Sequence, residues 1–297
     1  MSASEPSRPM IAVLGTGRMG EPMARNLLAA GFRVAVWDRT PAHAAPLTAD
    51  GARLADSPAS AATDADVVIT MLADGAAVEE AMTSPFTGAR STIVRGAVWV
   101  QMATVGIEWT DRLAALAAGS GLEFVDAPVS GSDGPAREGK LIVLASGPEP
   151  VRDRVQSIFD VLGQRTVWLG PAGNGTRLKL VLNSWLVSLT EAMAETLALT
   201  EALGLKPRQL FETIAGGPLA APYALVKGKA MIAHDFEPGF ALRHAVKDVR
   251  LALAAAEHGD VDLPVTAAVL RRWDRAMADG HADDDVASVI AEAVARP

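Results

Sequence analysis

The stretch "LGTGRMGEPMARNLLAAG", residues 14–31, decides the fold that we expect for this chain. Its first three glycines have the spacing G-x-G-x-x-G and lie between an apolar, strand-like run and a helix-like run. In that setting the first glycine permits a tight turn, the second lets a pyrophosphate approach the backbone, and the third brings helix and strand together. The free N–H groups of the helix N-terminus then face the phosphates. We assign this dinucleotide-binding loop to Gly15, Thr16, Gly17, Arg18, Met19 and Gly20.

The end of the next strand-like run bears on which dinucleotide is bound. Asp38 ends that run within about twenty residues of the glycines, as the dinucleotide-binding fingerprint requires, so a glycine-rich turn in another kind of α/β protein is disfavoured. A carboxylate there chelates ribose hydroxyls, which favours NAD and repels a 2′-phosphate. Arg39 and Thr40 follow at once, and a guanidinium and a hydroxyl suit that phosphate. The residues therefore allow NADP or NAD, and the cation tips our expectation slightly toward NADP.

Strand-like and helix-like segments alternate through the first half of the chain. Helical patterns such as 19–31 and 109–121 separate several of the apolar runs. This alternation predicts a parallel, doubly wound α/β sheet with helices on both faces, of the Rossmann type. The runs are "MIAVL" (10–14), "FRVAVW" (32–37), "DVVITML" (66–72), "AVWVQM" (97–102), "LEFVDA" (122–127) and "KLIVLAS" (140–146).

The pattern changes after about Gly170. A helical pattern of roughly 28 residues runs from Gly175 to Leu203, long enough at ~1.5 Å per residue to cross a whole domain. We expect a Rossmann domain over 1–170, with 1–9 as a loose lead-in, and an all-helical domain over 171–297. Further helices are expected at 207–215, 241–257, 264–278 and near 284–295, and "DDD" (283–285) is interpreted as a solvated helix start.

Composition narrows the class of partner. The 297 residues carry a net charge of −8, which makes nucleic acid a poor partner, and no apolar run is long enough to span a membrane. The chain has no cysteine, so disulfides and thiolate catalysis are excluded, and its five histidines show no metal-ligand spacing. Residues 1–9 lack the features of a signal peptide, so we expect a cytoplasmic protein.

Lys179 stands out in the segment "GNGTRLKLVLN" (173–183), because the surrounding helix is mostly apolar and the chain carries most of its positive charge as arginine. Asn183 lies one helical turn further on, on the same face. Lys179 is a structural residue if it snorkels to solvent or pairs with a carboxylate. It is an acid/base if apolar surroundings lower its pKa toward the working pH, which arginine does not allow. Interconversion of an alcohol and a carbonyl needs such a proton donor, and we favour the acid/base role.

A loop at 124–141, "FVDAPVSGSDGPAREGKL", follows a strand at the edge of the sheet where open α/β folds bind ligands. Ser130, Gly131 and Ser132 can offer hydroxyl and backbone N–H groups to an anion. A plain turn is the alternative. The residues by themselves leave both interpretations open, and a substrate carboxylate is the anion that these three residues would suit.

Four ordered motifs, "GTGRMGEPMARNL", "DAPVSGSDGPAREGKL", "GNGTRLKLVLN" and "FEPGFALRHAVKDVRLAL", cover nearly the whole chain. In order and spacing they resemble those of the β-hydroxyacid dehydrogenases, the family of 3-hydroxyisobutyrate dehydrogenase, tartronate semialdehyde reductase and glyoxylate/succinic semialdehyde reductase. The resemblance implies hydride transfer between NAD(P) and a small β-hydroxyacid or its semialdehyde, in a homodimer or tetramer built on a long interdomain helix.

The resemblance also implies roles for individual residues. Lys179 would be the catalytic acid/base, Asn183 would hold the substrate carboxylate or hydroxyl, and Ser130 with Gly131 would bind the carboxylate. Further cofactor contacts are assigned to Leu72, Ala73, Thr104 and Lys247, with Asp248 beside the lysine.

The substrate loop departs from the family pattern at Ser132, where a second glycine is usual, and at Pro135, where alanine is usual. These changes leave the identity of the acid open. Two other functions stay open. An imine reductase shares the architecture but carries Asp or Tyr where Lys179 stands, and a cofactor-binding protein without turnover would not need the Lys179–Asn183 pair.

Overall fold

The apolar runs of the first half form strands, because β-branched residues suit a pleated surface that is buried on both faces. The computed structural model of the protein describes residues 8–84 and 87–293. The strands are β1 (Met10–Leu14), β2 (Arg33–Trp37), β3 (Arg53–Leu54), β4 (Val67–Thr70), β5 (Val98–Gln101), β6 (Glu123–Asp126), β7 (Val129–Ser130), β8 (Leu141–Ala145) and β9 (Gly163–Trp168). The helices between them are α1 (Gly20–Ala29), α2 (Pro41–Ala44), α3 (Pro58–Ala62), α4 (Gly75–Thr83), α5 (Ile107–Gly119), α6 (Asp133–Arg137) and α7 (Arg152–Leu162).

The first six strands form one parallel sheet in the order β3-β2-β1-β4-β5-β6. Leu14 at the end of β1 is level with Trp37 of β2 on one side and with Thr70 of β4 on the other. The strand order reverses between β1 and β4, and open α/β sheets bind ligands at the carboxyl ends of the strands beside such a reversal. The predicted fold class is confirmed.

A second, smaller sheet differs from the expected all-parallel arrangement. Its order is β7-β8-β9, and β7 pairs with β8 antiparallel while β8 pairs with β9 parallel. The alternating pattern did not predict β9, because "GQRTVW" is polar at its start and Gln164 and Arg165 are exposed. An edge strand of this kind lacks the apolar run of a buried one.

Alternate side chains of each central strand enter different hydrophobic cores. In β1, Ile11 and Val13 belong to the core on one face of the large sheet, and Ala12 and Leu14 belong to the core on the other. All four side chains are completely buried. This double burial holds the ends of β1 and β4 rigidly, and the glycine-rich loop extends from one of those ends.

The second half is helical, as expected. Its helices are α8 (Asn174–Ala202), α9 (Pro207–Ile214), α10 (Pro222–Ala233), α11 (Leu242–His258) and α12 (Pro264–Ala276). Helix α10 was not predicted, because "PYALVKGKAMIA" is apolar on most sides and shows no helical period. Near the C-terminus a 3₁₀ helix, Val286–Glu292, replaces the expected α-helix, and residues 294–295 of that expectation lie outside the described residues, as do residues 1–7 of the expected lead-in.

The chain folds into two compact units, residues 1–179 and residues 180–297. The boundary between them lies within α8, between Lys179 and Leu180. The boundary that we place at residue 170 from the sequence stays a prediction. None of the helices in the described ranges has both the length and the apolar character needed to span a membrane.

The aspartate run 283–285 is not simply solvated, and that interpretation is wrong for Asp285. Its side chain is buried, and its carboxylate accepts hydrogen bonds from the Nζ of Lys227 (2.6 Å) and from the backbone N–H groups of Gly239 and Phe240 (3.0 Å each). Asp283 does lie at the surface, where it pairs with Arg243. The buried carboxylate thus fixes the start of the segment that leads into α11.

Candidate functional site

The glycine-rich loop joins the end of β1 to the start of α1, and each glycine has its own steric reason. Gly15 has φ +99°, and a Cβ there would lie 2.4 Å from the carbonyl oxygen of Met71. A Cβ on Gly20 would lie 1.9 Å from the carbonyl oxygen of Gly15, so this glycine lets helix and strand meet. A Cβ on Gly17 would meet nothing within 4 Å. The space beside Gly17 is where a pyrophosphate approaches the backbone in such loops.

Thr16 supplies independent support for a bound group at this loop. The residue is 2 % exposed, yet its side-chain Oγ1 has no hydrogen-bond partner among residues 8–84 and 87–293. A buried hydroxyl without a partner costs about 1–3 kcal/mol, so such groups are rare in the absence of a ligand. The hydroxyl, the open space at Gly17 and the N-terminal amides of α1 together fit the phosphates of a dinucleotide cofactor.

Asp38 braces this loop from the end of β2. Its Oδ2 accepts the backbone N–H of Thr16 (2.8 Å), and its Oδ1 accepts the backbone N–H of Thr40 (2.9 Å). His43 Nδ1 lies 3.3 Å from the same Oδ1. Both carboxylate oxygens are therefore engaged by the protein itself. The sequence pattern gave no sign of the bonds to the two amides.

Arg39 and Thr40 follow Asp38 at the surface, where both side chains are exposed. Thr40 precedes helix α2, and His43 in that helix is also largely exposed. The end of β2 thus presents a guanidinium, a hydroxyl and an imidazole to solvent around a braced carboxylate.

The other expected cofactor residues follow the central strands. Leu72 and Ala73 come just after β4, where Leu72 is half-buried against the core and Ala73 is exposed. Thr104 comes just after β5 and is half-buried. The carboxyl ends of neighbouring parallel strands meet at one edge of the sheet, so these residues lie on the same edge as the glycine-rich loop.

The expected substrate loop begins at the end of β7. Ser130 is the last residue of that strand and is half-buried, and Gly131 is exposed with φ +124°. A Cβ at Gly131 would lie 2.9 Å from the Cδ2 of Leu141, so both space and backbone conformation favour glycine. Ser132, also half-buried, precedes the short helix α6.

Lys179 lies in the second turn of α8 and is half-buried. The first turn is held by Asp126, the last residue of β6, whose carboxylate is completely buried. Asp126 accepts the backbone N–H of Thr176 (2.8 Å) and its hydroxyl (2.7 Å). The hydroxyl of Ser146 lies 3.2 Å from the same carboxylate and accepts the N–H of Gly175 (2.9 Å).

The protonation of Asp126 follows from opposing effects. Burial raises the pKa of Asp126 above its ordinary value, while the hydrogen bonds from Thr176 and Ser146 act to lower it. An amide N–H can only donate, and the Thr176 hydroxyl is placed to donate as well, so these contacts suit an ionised acceptor. The carboxylate also lies at the positive end of the α8 dipole, which favours the charged form.

Asn183 belongs to the second unit and is 2 % exposed. Its Nδ2 donates to Asp248 Oδ2 on α11 (2.7 Å), and Lys247 Nζ donates to Asp248 Oδ1 (2.8 Å). Asp248 is itself buried. The second unit therefore brings the predicted Asn183 and Lys247 together through one shared carboxylate.

Sequence reasoning missed the groups that hold the predicted ones in place. Asp126 ends β6 and Ser146 directly follows β8, and only the fold brings them to the start of α8. A usable signal was present: an aspartate at the end of an apolar strand is an expensive residue to bury without hydrogen-bond donors.

We expect replacement of Thr16 with Val to weaken cofactor binding without destabilising the free protein. The hydroxyl has no partner in the described part of the chain, so only its bond to the cofactor is lost, at about 1 kcal/mol or roughly fivefold in Kd. Titration of NADPH and NADH by fluorescence, with thermal unfolding of the free protein, measures both effects. Thr16→Ser retains the hydroxyl and is the control. A lower Tm with unchanged cofactor affinity would contradict this site.

Sequence comparisons agree with both halves of this arrangement. The profile of the NAD binding domain of 6-phosphogluconate dehydrogenase matches residues 10–170, and that of the NAD-binding domain of NADP-dependent 3-hydroxyisobutyrate dehydrogenase matches residues 173–293. Glyoxylate/succinic semialdehyde reductase 1 of Arabidopsis thaliana is 37% identical over 282 residues, covering 94% of this chain and 96% of the relative.

Solved structures give the same result. The 3-hydroxyisobutyrate dehydrogenase of Mycobacterium tuberculosis, solved with L-serine, superposes with a TM-score of 0.87 at 29% identity, over 95% of this chain and 98% of that one. An imine reductase from Pseudomonas sp. has a TM-score of 0.64 at 23% identity, over 96% and 99%, which is a likeness of fold alone. With the glycine-rich loop and its brace in one unit and the long helix α8 leading into the other, the chain belongs to the β-hydroxyacid dehydrogenase family of NAD(P)-dependent oxidoreductases.

Proposed function

We propose that the protein interconverts a small β-hydroxyacid and its semialdehyde, with Lys179 as the general acid/base. The observation that carries this proposal is the placement of Lys179, half-buried on α8 one turn beyond a helix start that a buried carboxylate anchors. A general acid must lie within hydrogen-bond reach of the oxygen that it protonates, and an anchored helix keeps it there. The glyoxylate/succinic semialdehyde reductase of Arabidopsis thaliana supports this substrate class.

The cofactor, when bound, supplies or accepts the hydride, and the protein residues bind, orient and move the proton. The glycine-rich loop and Thr16 hold the phosphates. Leu72, Ala73, Thr104 and Lys247 are the further residues that we propose would contact the cofactor. In the reduction, Lys179 Nζ gives its proton to the carbonyl oxygen; in the oxidation it takes the proton back from the hydroxyl.

Ser130, Gly131 and Ser132 are proposed to bind the substrate carboxylate, with hydroxyl and backbone N–H groups as donors. The bond from Asn183 Nδ2 to Asp248 bears on the role of Asn183, which the sequence left open. It leaves one N–H of the amide group as a donor, which suits a carboxylate, and the carbonyl Oδ1 as an acceptor, which suits a hydroxyl. We propose that Asn183 holds the substrate carboxylate or hydroxyl through these remaining groups.

NADP is the cofactor that we propose as preferred. Both carboxylate oxygens of Asp38 already accept hydrogen bonds from the backbone N–H groups of Thr16 and Thr40, which weakens the argument that Asp38 chelates the ribose of NAD. Arg39 and Thr40 are exposed beside it and can reach a 2′-phosphate. NADPH should therefore bind more tightly than NADH.

A second copy of the chain is the proposed partner, through the exposed apolar side of α8. Val181, Trp185 and Leu199 on the helix and Leu203 just past its end are 65%, 63%, 59% and 67% exposed. At 100° per residue Val181, Trp185 and Leu199 fall within about 40° of one another, along roughly 27 Å of helix. Exposed apolar patches on the order of several hundred Å² mark interaction sites. Homo-oligomers with closed symmetry are the commonest soluble assemblies, and the family resemblance implies a dimer or tetramer.

The cytoplasmic location stays a prediction.

Replacement of Lys179 with Met is expected to lower kcat by about 10³-fold, within the range for loss of a general acid, while the Kd of NADPH stays within about twofold. Lys229→Met, at an exposed position of α10, is the control and keeps full activity. A panel of semialdehydes, hydroxyacids and cyclic imines, assayed with NADH and NADPH, measures both. Turnover of imines alone would support the imine reductase alternative, and full activity of the Lys179 variant would refute the acid/base role.

Arg39→Ala is expected to raise the Kd of NADPH by more than tenfold, because a charged hydrogen bond is worth about 1.5–3 kcal/mol. The Kd of NADH should change little. Arg33→Ala, an exposed arginine at the opposite end of β2, serves as the control. Isothermal titration measures the Kd of both cofactors. An equal loss of affinity for NADH and NADPH would show that Arg39 does not bind the 2′-phosphate.

Leu199→Glu is expected to convert a dimer or tetramer into a monomer, since it places a charge on the exposed apolar side of α8 near its C-terminal end. Leu54→Glu is the matched control, because Leu54 is exposed on β3 in the other unit. Sedimentation velocity gives the masses. A monomeric unmodified protein, or an assembly that survives Leu199→Glu unchanged, would exclude this interface.

A further inference from the structure

Asp126 has no part in the cofactor or substrate contacts assigned above, yet it is the most fully buried carboxylate at the start of α8. It makes two hydrogen bonds to one residue, Thr176, through the backbone N–H and the side-chain hydroxyl. The hydroxyl of Thr110 on α5 lies 3.0 Å from the Thr176 hydroxyl and extends the network. Four elements, β6, β8, α5 and α8, therefore meet at this point.

The start of α8 is also fixed by direct contact. A Cβ on Gly175 would lie 2.2 Å from the carbonyl oxygen of Leu144 and 2.9 Å from that of Asp126. The helix backbone therefore touches the end of β8 with no space for even a methyl group. The contact between Gly175 and the Leu144 carbonyl oxygen sets the distance of α8 from β8. The two hydrogen bonds from Thr176 to Asp126 set the rotation of α8 about the helix axis.

This fixed turn lies directly below Lys179. Residues three apart on a helix are neighbours on one face, with Cβ atoms about 5–6 Å apart, so Lys179 shares its face with Thr176. Proton transfer requires a heavy-atom separation of about 2.6–3.2 Å. A misplacement of about 1 Å can cost a hundredfold in rate even when the altered group is remote from the chemistry.

We propose that Asp126 is a positioning residue for the reaction: through Thr176 it sets the rotation of the first turn of α8 and thereby the place of Lys179 Nζ. This inference rests on the proposed function, because Asp126 acts only through the lysine. It assigns a second task to a carboxylate whose first task is to satisfy the amide groups of a buried helix start.

Replacement of Thr176 with Val tests the proposal with a small change. It removes the hydroxyl bond to Asp126 and keeps the backbone bond and the volume. The expected result is a fall in kcat of about 10- to 100-fold, with the KM of the substrate and the Kd of NADPH each within about threefold. Thr176→Ser, which retains the hydroxyl, should recover most of the kcat.

Thr200→Val is the matched control for a general loss of helix stability. Thr200 is also buried on α8, and its hydroxyl donates to the Thr196 carbonyl (2.7 Å), but it lies about 36 Å along the helix from Thr176. It should retain full kcat. A Thr176→Val protein with full kcat, or an equal loss of kcat in Thr200→Val, would overturn the proposal.

A double variant separates this proposal from the proposed function. If Asp126 and Thr176 act through Lys179, then Thr176→Val should lower the residual rate of Lys179→Met no further. A further tenfold loss in that background would show a structural effect and refute the positioning role. If Lys179→Met alone is fully active, the proposed function fails instead. Asp126→Asn should lower kcat at least as much as Thr176→Val, because its amide group faces the same donors.

Discussion

Helix α8 begins inside the Rossmann-type unit, and its first amide groups must find acceptors there. A helix start that is buried without partners is strongly unfavourable, because its free N–H groups have lost water and gained nothing. Asp126 and Ser146 supply the acceptors for Gly175 and Thr176. The rest of the arrangement follows from this contact, since the same helix carries Lys179 in its second turn and continues into the second unit as far as Ala202.

Each unit solves the problem of charge burial in the same way. In the first, the carboxylate of Asp126 accepts hydrogen bonds from a helix start. In the second, Asp285 accepts them from Gly239, Phe240 and Lys227, and Asp248 accepts them from Asn183 and Lys247. A buried carboxylate with several donors fixes the groups around it, because loss of any donor leaves an uncompensated charge. Asn183 and Lys247, which have proposed roles in binding, are thus held by the carboxylate of Asp248, which has no such role.

The sequence was most informative where a local pattern has a single physical meaning. The glycine spacing predicted the loop after β1, and the apolar runs predicted the strands of the large sheet apart from the two-residue β3, because both patterns depend on residues that are adjacent in the chain. Helix α8 was predicted almost to its ends. Helix α10 and strand β9 were missed: the first is apolar on most sides and the second is polar at its start, so neither has the period of its class.

The supporting groups were unpredictable for a different reason. Asp126 and Thr176 are fifty residues apart, and Asp285 and Lys227 are fifty-eight apart. No local period reports such a contact, and "DDD" looked like a solvated run although one of its members is buried. Chemistry alone favoured an acid/base role for Lys179, but the predicted roles of Asn183 and of the loop at Ser130 depended on the resemblance to a family, since composition and spacing left structural alternatives open.

The double engagement of Asp38 has a consequence for attempts to change coenzyme preference. In Rossmann folds that bind NAD, the acidic residue after the second strand hydrogen-bonds the ribose, so it is the obvious residue to change. Here the same carboxylate ties Thr16 and Thr40 together through their amides, so its removal would loosen the phosphate loop for either coenzyme. Selectivity can therefore evolve at the two positions that follow it far more easily than at position 38 itself.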